Sequence, residues 1–432
     1  MDFELALESY RDRRRWWIAY SGGVDSSVLL HLLAHLRDSE PDIPPLTAIH
    51  INHQLNPRAA AWAGHCRAVC AQLGIELIVE AVDVDRTGNI GLEAAARRAR
   101  YAAFERHICA GELLLQGHHG DDQVETLLLR LLRGSGVAGL AAIPSQRVVG
   151  QGELLRPLLQ WSRRDIVDYA QRHQLHWIED DSNENAAFDR NFLRLNVLPQ
   201  IAQRWPAYRQ TLARASEQVR EAGELLDVLG AEDHARARRP GGELSTAACL
   251  ALEPQRRRNL LRYWLRQSRL PTPSREQLLQ VESMLSARRD SEPCVQWPGA
   301  EVRRFGEGLY AMAPLPPLPA DIDCVMPAGS DVFIPGLGHL RGEWISGHGL
   351  RSDRQYRIRN RRGGERCRPA TRAHSQTLKK LLQEYAVPPW LRDRMPLIYC
   401  GDELAAVGHL WVCAGFVAED GQPGWALHWS LD

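Results

Sequence analysis

Lysine is almost missing from this chain of 432 residues, because only Lys379 and Lys380 among its 53 basic residues are not arginine. Long apolar runs are missing too, since no stretch approaches the roughly 18 residues that a membrane span needs. The nine cysteines form no CxxC pair, which argues against a disulfide framework or a zinc ribbon and fits a reducing compartment. The acidic start of the chain is not followed by the apolar segment of a secretory signal. We therefore expect a cytoplasmic protein with no membrane partner.

Net charge is missing as well, since 53 acidic residues balance the 53 basic ones. The sum hides a local excess, because residues 351–395 hold eleven arginines and two lysines against four acidic residues. Tyr385 and Trp390 lie in the same segment, and basic side chains next to aromatic rings are typical of RNA-binding surfaces. A solvated charged face is the alternative interpretation. The residues that we predict to contact RNA here are Lys379, Lys380, Arg392 and Arg394.

Strand-like and helical segments alternate along the first half of the chain. Apolar runs at 16–20, 46–52, 75–82 and 112–118 predict strands, and helical patterns follow each of them. Such alternation is typical of an α/β fold with a doubly wound, mostly parallel sheet of the Rossmann-like type, which binds its ligand at the carboxyl ends of the strands. The length predicts more than one domain. We place an α/β domain at 1–205, a mostly helical domain at 206–312, a proline-rich linker at 313–320 and a small α+β domain at 321–432.

A loop rich in serine and glycine, Ser21–Ser27, joins the first predicted strand to the first helix. Its glycines permit a tight turn, and the N–H groups of a helix start bind phosphate together with nearby hydroxyls. The lysine of a Walker A loop is absent, which disfavours transfer of a γ-phosphoryl group. A loop that holds the terminal phosphates suits attack at the α-phosphate and release of pyrophosphate. The predicted ATP-binding residues are Ser21, Gly22, Gly23, Val24, Asp25, Ser26 and Ser27.

Asp25 is an unusual residue to find beside phosphate. Its carboxylate would hold Mg²⁺ or neutralise a positively charged substrate. A structural turn between strand and helix is the alternative interpretation of the loop, but the pattern SGGxDS in this context favours the functional one.

Histidines and carboxylates cluster after the fourth predicted strand, in Gly117–Thr126. The parallel topology places this segment at the same sheet edge as the phosphate loop. Its His119, Asp122 and Glu125 are suited to holding a metal, positioning an amine or moving a proton, whereas a polar helix N-cap is the alternative. Earlier in the chain, Arg97 shares a helix face with Glu93, and this spacing fits either a surface ion pair or a contact with phosphate.

These motifs carry a resemblance to known families. The segment SGGVDS at 21–26 is similar to the signature of the pyrophosphate-loop ATPases, which activate a carbonyl oxygen by adenylation and then admit a nucleophile. Further segments closely resemble the tRNA(Ile)-lysidine synthetases, and the resemblance is thin only through 220–350. These segments are EAAARRARY (93–101), GHHGDDQVET (117–126), RGSG (133–136), RPLL (156–159), WIEDDSN (177–183), DRNFLR (189–194), NRRGGE (360–365) and LKKLLQEYAVPPWLRDRMPLIY (378–399).

The resemblance implies an ATP-dependent ligase that joins free lysine to C2 of the wobble cytidine in the CAU anticodon of an isoleucine tRNA. Adenylation of the cytidine would release pyrophosphate, and attack by the lysine amine would then expel AMP and form lysidine. The implied fold of residues 1–205 is that of the adenine nucleotide alpha-hydrolases. The implied cofactors are ATP and Mg²⁺, with Asp25 and Asp122 as metal ligands.

The resemblance also implies roles for individual residues. Catalytic roles fall to Asp25, Arg97, His119, Asp122 and Glu125. Contacts with tRNA fall to Arg190, Arg194, Arg361, Arg362, Lys379, Lys380, Arg392 and Arg394.

Two alternatives belong to other classes of protein. A pyrophosphate-loop tRNA thiolase needs reactive or cluster-binding cysteines, and the nearest pair, Cys66 and Cys70, is predicted to be buried on one helix face. A non-catalytic RNA-binding module has no need of intact SGGVDS and DDQVET segments. His50 and His53 also resemble a stretch of the family, but a histidine at a strand end is more often structural, and we leave both out of the catalytic set.

Overall fold

A computed structural model describes residues 3–85, 91–180, 185–288, 291–326 and 331–431. Two of the features named above, residues 181–183 and the side chain of Glu93, lie outside what it describes. The chain divides into two compact units, Met1–Leu226 and Asp227–Asp432. Among the helices of the described residues, none combines the length and the apolar character required to cross a membrane.

The first unit is built on a six-stranded sheet in the order β3-β2-β1-β4-β6-β5. Its strands are β1 (Arg15–Ala19), β2 (Leu46–Asn52), β3 (Glu76–Ala81), β4 (Glu112–Leu115), β5 (Gln146–Val149) and β6 (Gly152–Leu155). All pairs are parallel except the β5–β6 hairpin at one edge. The apolar residues of β1 and β4 are buried between helices, as strands at the centre of a parallel sheet require. The prediction of a mostly parallel, Rossmann-like sheet is therefore confirmed.

Helices follow the strands of this sheet. They are α1 (Val24–Ser39), α2 (Ala59–Gln72), α3 (Leu92–His107), α4 (Gly120–Leu132), α5 (Val137–Leu140), α6 (Arg163–Arg172), α7 (Asp189–Phe192) and α8 (Leu198–Arg204). A short 3-10 helix, Glu8–Tyr10, precedes β1, a π-helical turn, Leu193–Val197, joins α7 to α8, and the long helix α9 (Tyr208–Ala237) comes next. Because the chain leaves β1 toward β2 and β3 but places β4 on the other side, the order reverses between β1 and β4. In open α/β sheets the ligand binds at this switch point.

The second unit contains antiparallel sheets and short helices. Its helices are α10 (Thr246–Leu250), α11 (Pro254–Gln267), α12 (Arg275–Met284), α13 (Leu378–Glu384) and α14 (Pro389–Arg392). Its strands are β7 (Leu244–Ser245), β8 (Cys294–Trp297), β9 (Ala300–Phe305), β10 (Gly308–Met312), β11 (Asp323–Met326), β12 (Asp331–Ile334), β13 (Gly338–Ser346), β14 (Leu350–Arg351), β15 (Tyr356–Arg359), β16 (Arg366–Cys367), β17 (Gln376–Thr377), β18 (Leu397–Cys400), β19 (Glu403–Val407), β20 (Trp411–Val412) and β21 (Pro423–Ser430).

These strands form four sheets, in the orders β7-β10-β9-β8, β11-β15-β18-β19-β20, β12-β13-β21-β14 and β16-β17. One apolar core lies under α10, α11 and α12, and another lies between the sheets of the last hundred or so residues. The predicted succession of a helical region and an α+β region is confirmed. The residue boundaries that we assigned to three domains remain predictions.

Candidate active site

The phosphate loop turns sharply between β1 and α1. Gly22 has φ +87°, and a Cβ added to it would lie 2.5 Å from Ile178 Cδ1. Ile178 in turn donates its N–H to Gly22 O at 2.9 Å. The Ser26 hydroxyl donates to Gly23 O at 3.0 Å and accepts from Ser21 N at 3.2 Å, which fixes the loop from inside. The first N–H groups of α1 have no acceptor within the helix, so they are available to an anion.

Gly22→Ala should destabilise the first unit by about 1–3 kcal/mol, because a non-glycine residue is strained at this φ and the new methyl group overlaps Ile178. Gly23→Ala is the matched control. Gly23 has φ −74°, and a Cβ there would meet nothing closer than 3.6 Å. Denaturant unfolding of both variants measures the difference. Equal stability of the two variants would show that the turn relaxes around the added methyl group.

The segment after β4 packs directly against the start of α1. A Cβ added to Gly117 would lie 2.8 Å from the carbonyl oxygen of Asp25, so only glycine permits this approach. The contact brings the two predicted motifs together at the switch point. His119, the N-cap residue of α4, then lies 3.6 Å through Nε2 from Asp25 Oδ1.

His119 is fully buried among three carboxylates. Its Nε2 is also 3.6 Å from Asp122 Oδ2, and its Nδ1 is 3.9 Å from Asp121 Oδ2. Neither ring nitrogen has a hydrogen-bond partner among the residues that the structure describes. A buried imidazole in this position is suited to moving or sharing a proton between the carboxylates and a substrate.

The environment shifts two of these carboxyl groups in opposite directions. Burial raises the pKa of Asp25, and nearby His119 and Arg163 only partly oppose it. Burial would also raise the pKa of Asp122, but His119 and Arg190 outweigh it and hold that pKa below its usual value. Asp122 Oδ2 additionally accepts the N–H of His119 at 3.0 Å, so the N-cap interpretation and a site role are both compatible with its position.

Glu125 is fully buried, and Arg190 on α7 and Arg194 on the π-helical turn contact it. Arg190 Nε donates to Glu125 Oε2 at 2.6 Å, and Arg194 donates through Nε and Nη2 at 2.7 and 3.0 Å. Arg190 Nη2 reaches Asp122 Oδ1 at 2.7 Å. Asp25, Asp121, Asp122 and Glu125 form the carboxylate cluster around His119. Arg190 and Arg194, which we predicted to contact tRNA, bind to this cluster at the predicted catalytic residues Asp122 and Glu125.

A cavity of about 320 Å³ opens beside this cluster. Its polar lining consists of the carboxylates of Asp121 and Glu125 and the guanidinium groups of Arg163, Arg164, Arg194 and Arg209. Asp121 accepts the backbone N–H of Arg163 at 2.8 Å and the Nε of Arg209 at 2.6 Å. The apolar part of the lining consists of Leu198, Pro199, Ala202 and Tyr208.

Sequence reasoning missed the roles of Asp121, Arg163 and Arg209 in this cavity. Asp121 lies inside the recognised DDQVET segment, so its position was a usable signal. Arg163 and Arg209 belong to α6 and α9 and lie outside the quoted motifs. Only their proximity in the folded chain reveals them.

Arg97 belongs to a group of arginines around Tyr101. Its guanidinium is 5.1 Å from the ring centroid of Tyr101, and Arg147 lies over the same ring at 4.1 Å. Arg156 donates to the Tyr101 hydroxyl at 3.4 Å and to His118 Nδ1 at 3.2 Å. The catalytic role of Arg97 stays a prediction. A contact between Arg97 and phosphate is compatible with the basic group around Tyr101.

His50 and Cys66, which lie near the loop, have structural partners. His50 is buried and its Nδ1 lies 3.0 Å from Tyr20 O. Cys66 Sγ is 3.5 Å from the same nitrogen. Burial raises the pKa of the Cys66 and Cys70 thiols to about 12, so they are protonated and unreactive at neutral pH.

The predicted RNA-binding residues of the second unit differ in how they are held. Lys379 and Lys380 are exposed on α13, and Lys380 lies 3.9 Å from Glu384. Arg361 and Arg362 pair with Asp393 and Asp321, at 3.1 and 2.6 Å. The two remaining arginines donate to backbone carbonyls, Arg392 to Val387 at 2.9 Å and Arg394 to Gly336 at 2.6 Å.

A divalent metal fits this site only with help from its substrate. Within the described part of the chain, no group of three His, Cys, Asp or Glu side chains is arranged to hold an ion by itself. Mg²⁺ is usually held by one or two carboxylates together with substrate phosphates, and Asp25 and Asp122 provide such oxygens beside the phosphate loop.

The fold and this site define a nucleotide-binding protein of the pyrophosphate-loop class, and the family model described as "PP-loop domain" matches residues 2–201. The models "TilS substrate binding domain" and "TilS substrate C-terminal domain" match residues 244–310 and 356–429. The tRNA(Ile)-lysidine synthase of Alkalilimnicola ehrlichii is 42% identical over 95% of this chain and 92% of that protein. The proteins of the same name from Serratia proteamaculans and Coxiella burnetii are 44% and 41% identical, over 96% and 94% of this chain and 95% and 91% of theirs. The chain belongs to the tRNA(Ile)-lysidine synthase family.

Proposed function

We propose that this protein is an ATP-dependent ligase that attaches free lysine to C2 of the wobble cytidine in the CAU anticodon of an isoleucine tRNA. The observation that carries the proposal is the meeting of the phosphate loop and the carboxylate cluster at the switch point of the sheet, in a chain whose relatives bear this name. The loop would hold the pyrophosphate of ATP while the cytidine oxygen attacks the α-phosphate. The cluster would then receive the lysine that displaces AMP.

Asp25 and Asp122 are the residues that we propose to hold ATP-borne Mg²⁺. Their oxygens approach the same His119 nitrogen, each at 3.6 Å, so they flank the place where the phosphates would enter. The metal would neutralise phosphate charge and thereby favour attack on the α-phosphate. His119 would be placed to take up the proton that the lysine ammonium must lose before its amine attacks C2.

The cavity beside Glu125 is the proposed lysine pocket. The ammonium group needs carboxylates, which Asp121 and Glu125 provide, and the α-carboxylate needs guanidinium donors, which Arg163 and Arg209 provide. The methylene chain would pack against apolar residues of α8. A cavity of about 320 Å³ is suited to one amino acid.

The thiolase and the non-catalytic module are not favoured. The two cysteines nearest to the loop are buried, with the pKa of each thiol raised to about 12, whereas a thiolase needs accessible thiolates. The complete phosphate loop and carboxylate cluster are unnecessary in a protein that only binds RNA.

One assay separates the three functions. Purified protein is mixed with ATP labelled at the α-phosphate, lysine and the CAU-anticodon isoleucine tRNA, and AMP release and the nucleoside product are measured. The ligase gives lysine-dependent AMP release and a nucleoside carrying the mass of lysine. Sulfur incorporation without lysine would identify a thiolase, and tRNA binding without ATP turnover would identify a module.

Lys379→Ala combined with Lys380→Ala should weaken tRNA binding and reduce its dependence on salt. Both side chains are exposed, and each phosphate contact contributes nearly one unit to the slope of log K against log salt concentration. We expect the slope to fall by about one to two units, as measured by filter binding from low to physiological salt. Arg236→Ala, which removes an exposed cation from the end of α9, is the control. An unchanged slope in the double variant would remove the lysine pair from the RNA surface.

A further inference from the structure

The second unit contains a cavity of about 370 Å³ that the proposed chemistry does not use. Its lining combines the guanidinium groups of Arg303 and Arg394 and the carboxylates of Glu301 and Asp393 with the indole of Trp390 and the prolines Pro314 and Pro389. The volume is near the lower end of the range of about 300–1,000 Å³ that small-ligand pockets occupy. It is suited to one planar group with an attached anion rather than to a helix or a strand.

A buried carboxylate holds one of the two guanidinium groups in place. Glu301 on β9 is only 1% exposed, and it accepts hydrogen bonds from Arg303 Nε at 2.8 Å, from Arg303 Nη2 at 3.1 Å and from Gln296 Nε2 at 2.6 Å. Arg303 Nη1 takes no part in this pairing, which uses Nε and Nη2. A guanidinium that is oriented in this way is pre-organised to donate to a phosphate oxygen.

The indole of Trp390 forms an aromatic wall of the cavity and is held in place by neighbouring aromatic rings. The rings of Tyr310 and Phe305 pack against it edge-on, with centroids at 5.3 and 6.2 Å, and the Arg303 guanidinium lies 5.4 Å from its centroid. The indole is only partly buried. A rigid aromatic ring with an adjacent arginine is the arrangement that stacks an unpaired base in single-stranded RNA recognition.

Residues of the proline-rich segment 313–320 also line the cavity, and this segment is itself anchored. Arg394 donates to Gly336 O at 2.6 Å and to Pro316 O at 2.5 Å. Burial lowers the pKa of Arg394 and the nearby Arg303 lowers it further, while Glu301 opposes both effects without cancelling them. A phosphate bound beside the two guanidinium groups would therefore supply a negative charge in addition to that of Glu301.

We propose that this cavity binds a single unpaired nucleotide of the tRNA, with its base stacked on Trp390 and its phosphate between Arg303 and Arg394. The proposal rests on tRNA as the substrate. A free mononucleotide shares the same chemistry, but Pro389, Trp390, Asp393 and Arg394 of the lining belong to the basic segment 351–395, which favours a nucleotide that belongs to a longer RNA.

Trp390→Ala should raise the Kd for the tRNA about tenfold, in line with the loss of one stacked base, whereas Trp390→Phe should restore most of the affinity. Trp344→Ala is the matched control, because Trp344 is an exposed tryptophan on β13 that does not line the cavity. Kd values come from filter binding at one salt concentration. Equal Kd values for wild type, Trp390→Ala and Trp344→Ala would overturn the proposal.

Two further measurements identify the source of the nucleotide and guard against misfolding. Equilibrium dialysis with labelled ATP should give one ATP site per chain, both in wild type and in Trp390→Ala. Two ATP sites in wild type and one in the variant would show that the cavity binds a free nucleotide and would overturn the proposal. Irradiation of the wild-type complex should attach RNA to the peptide that carries Trp390, and no adduct there would also count against it. Wild-type protein that binds tRNA without lysine-dependent AMP release would refute the ligase while leaving this site testable.

Discussion

Asp25→Asn should lower the rate of tRNA-dependent pyrophosphate release by about a thousandfold, while the Kd for tRNA stays within about twofold of wild type. The substitution keeps the shape of the side chain but removes the negative charge that we propose to hold Mg²⁺ at the phosphate loop. It also removes a carboxylate that lies 3.6 Å from His119 and 3.4 Å from Arg163. The measurement is pyrophosphate release with saturating tRNA, together with filter binding of the tRNA.

Asp38→Asn is the control for this prediction, because Asp38 lies on the same helix α1 but is exposed near its C-terminal end. We expect it to leave both quantities unchanged. Asp25→Ala should abolish adenylation with the same retention of tRNA binding. A large loss of tRNA affinity in either Asp25 variant would place that residue on the RNA-binding surface and contradict its assignment to ATP.

The parallel core of the first unit was accessible from sequence because its signals are local. The strand β2 begins and ends where the apolar run predicts, at Leu46 and Asn52. The β5–β6 hairpin was missed, because its two four-residue strands are too short to show alternation and three residues of β5 are exposed. Its register depends on close packing at Gly152, where a Cβ would lie 2.5 Å from Glu112 O, and this contact is invisible in the sequence.

The site was predicted only in part, because some of its signals are local in the sequence and others are contacts between distant residues. Helix α4 begins at Gly120, so Asp121 and Asp122 lie in its first turn, where its N–H groups favour negative charge. The ion pairs of Glu125 with Arg190 and Arg194 join residues 65 and 69 positions apart, and no periodicity reports such a distance. The sequence therefore identifies His119, Asp122 and Glu125, whereas the role of Asp121 and the pairing of Glu125 with the two arginines require the fold.

Glu125→Gln should slow the transfer of lysine by about a hundredfold or more while adenylated tRNA still forms and accumulates. The neutral amide keeps the shape of the side chain but cannot balance the lysine ammonium in a buried site. It also leaves Arg190 and Arg194 without their buried counter-charge, which should lower the free energy of unfolding by about 2–3 kcal/mol. The loss is smaller than for a fully buried pair, because both arginines are about a quarter exposed. Single-turnover assays that follow AMP and pyrophosphate separately measure the two steps.

Glu217→Gln provides the comparison, because Glu217 lies on α9 in the first unit, is more than half exposed and pairs only loosely with Arg220 at 3.7 Å. Surface pairs of this kind contribute little, so we expect wild-type rates and stability. The important quantity is the ratio of pyrophosphate to AMP released by Glu125→Gln. A ratio well above one places Glu125 after adenylation, in the step that uses lysine. A ratio near one, with both rates reduced equally, would mean that Glu125 supports the site as a whole, and the lysine pocket would have to be sought elsewhere in the cluster.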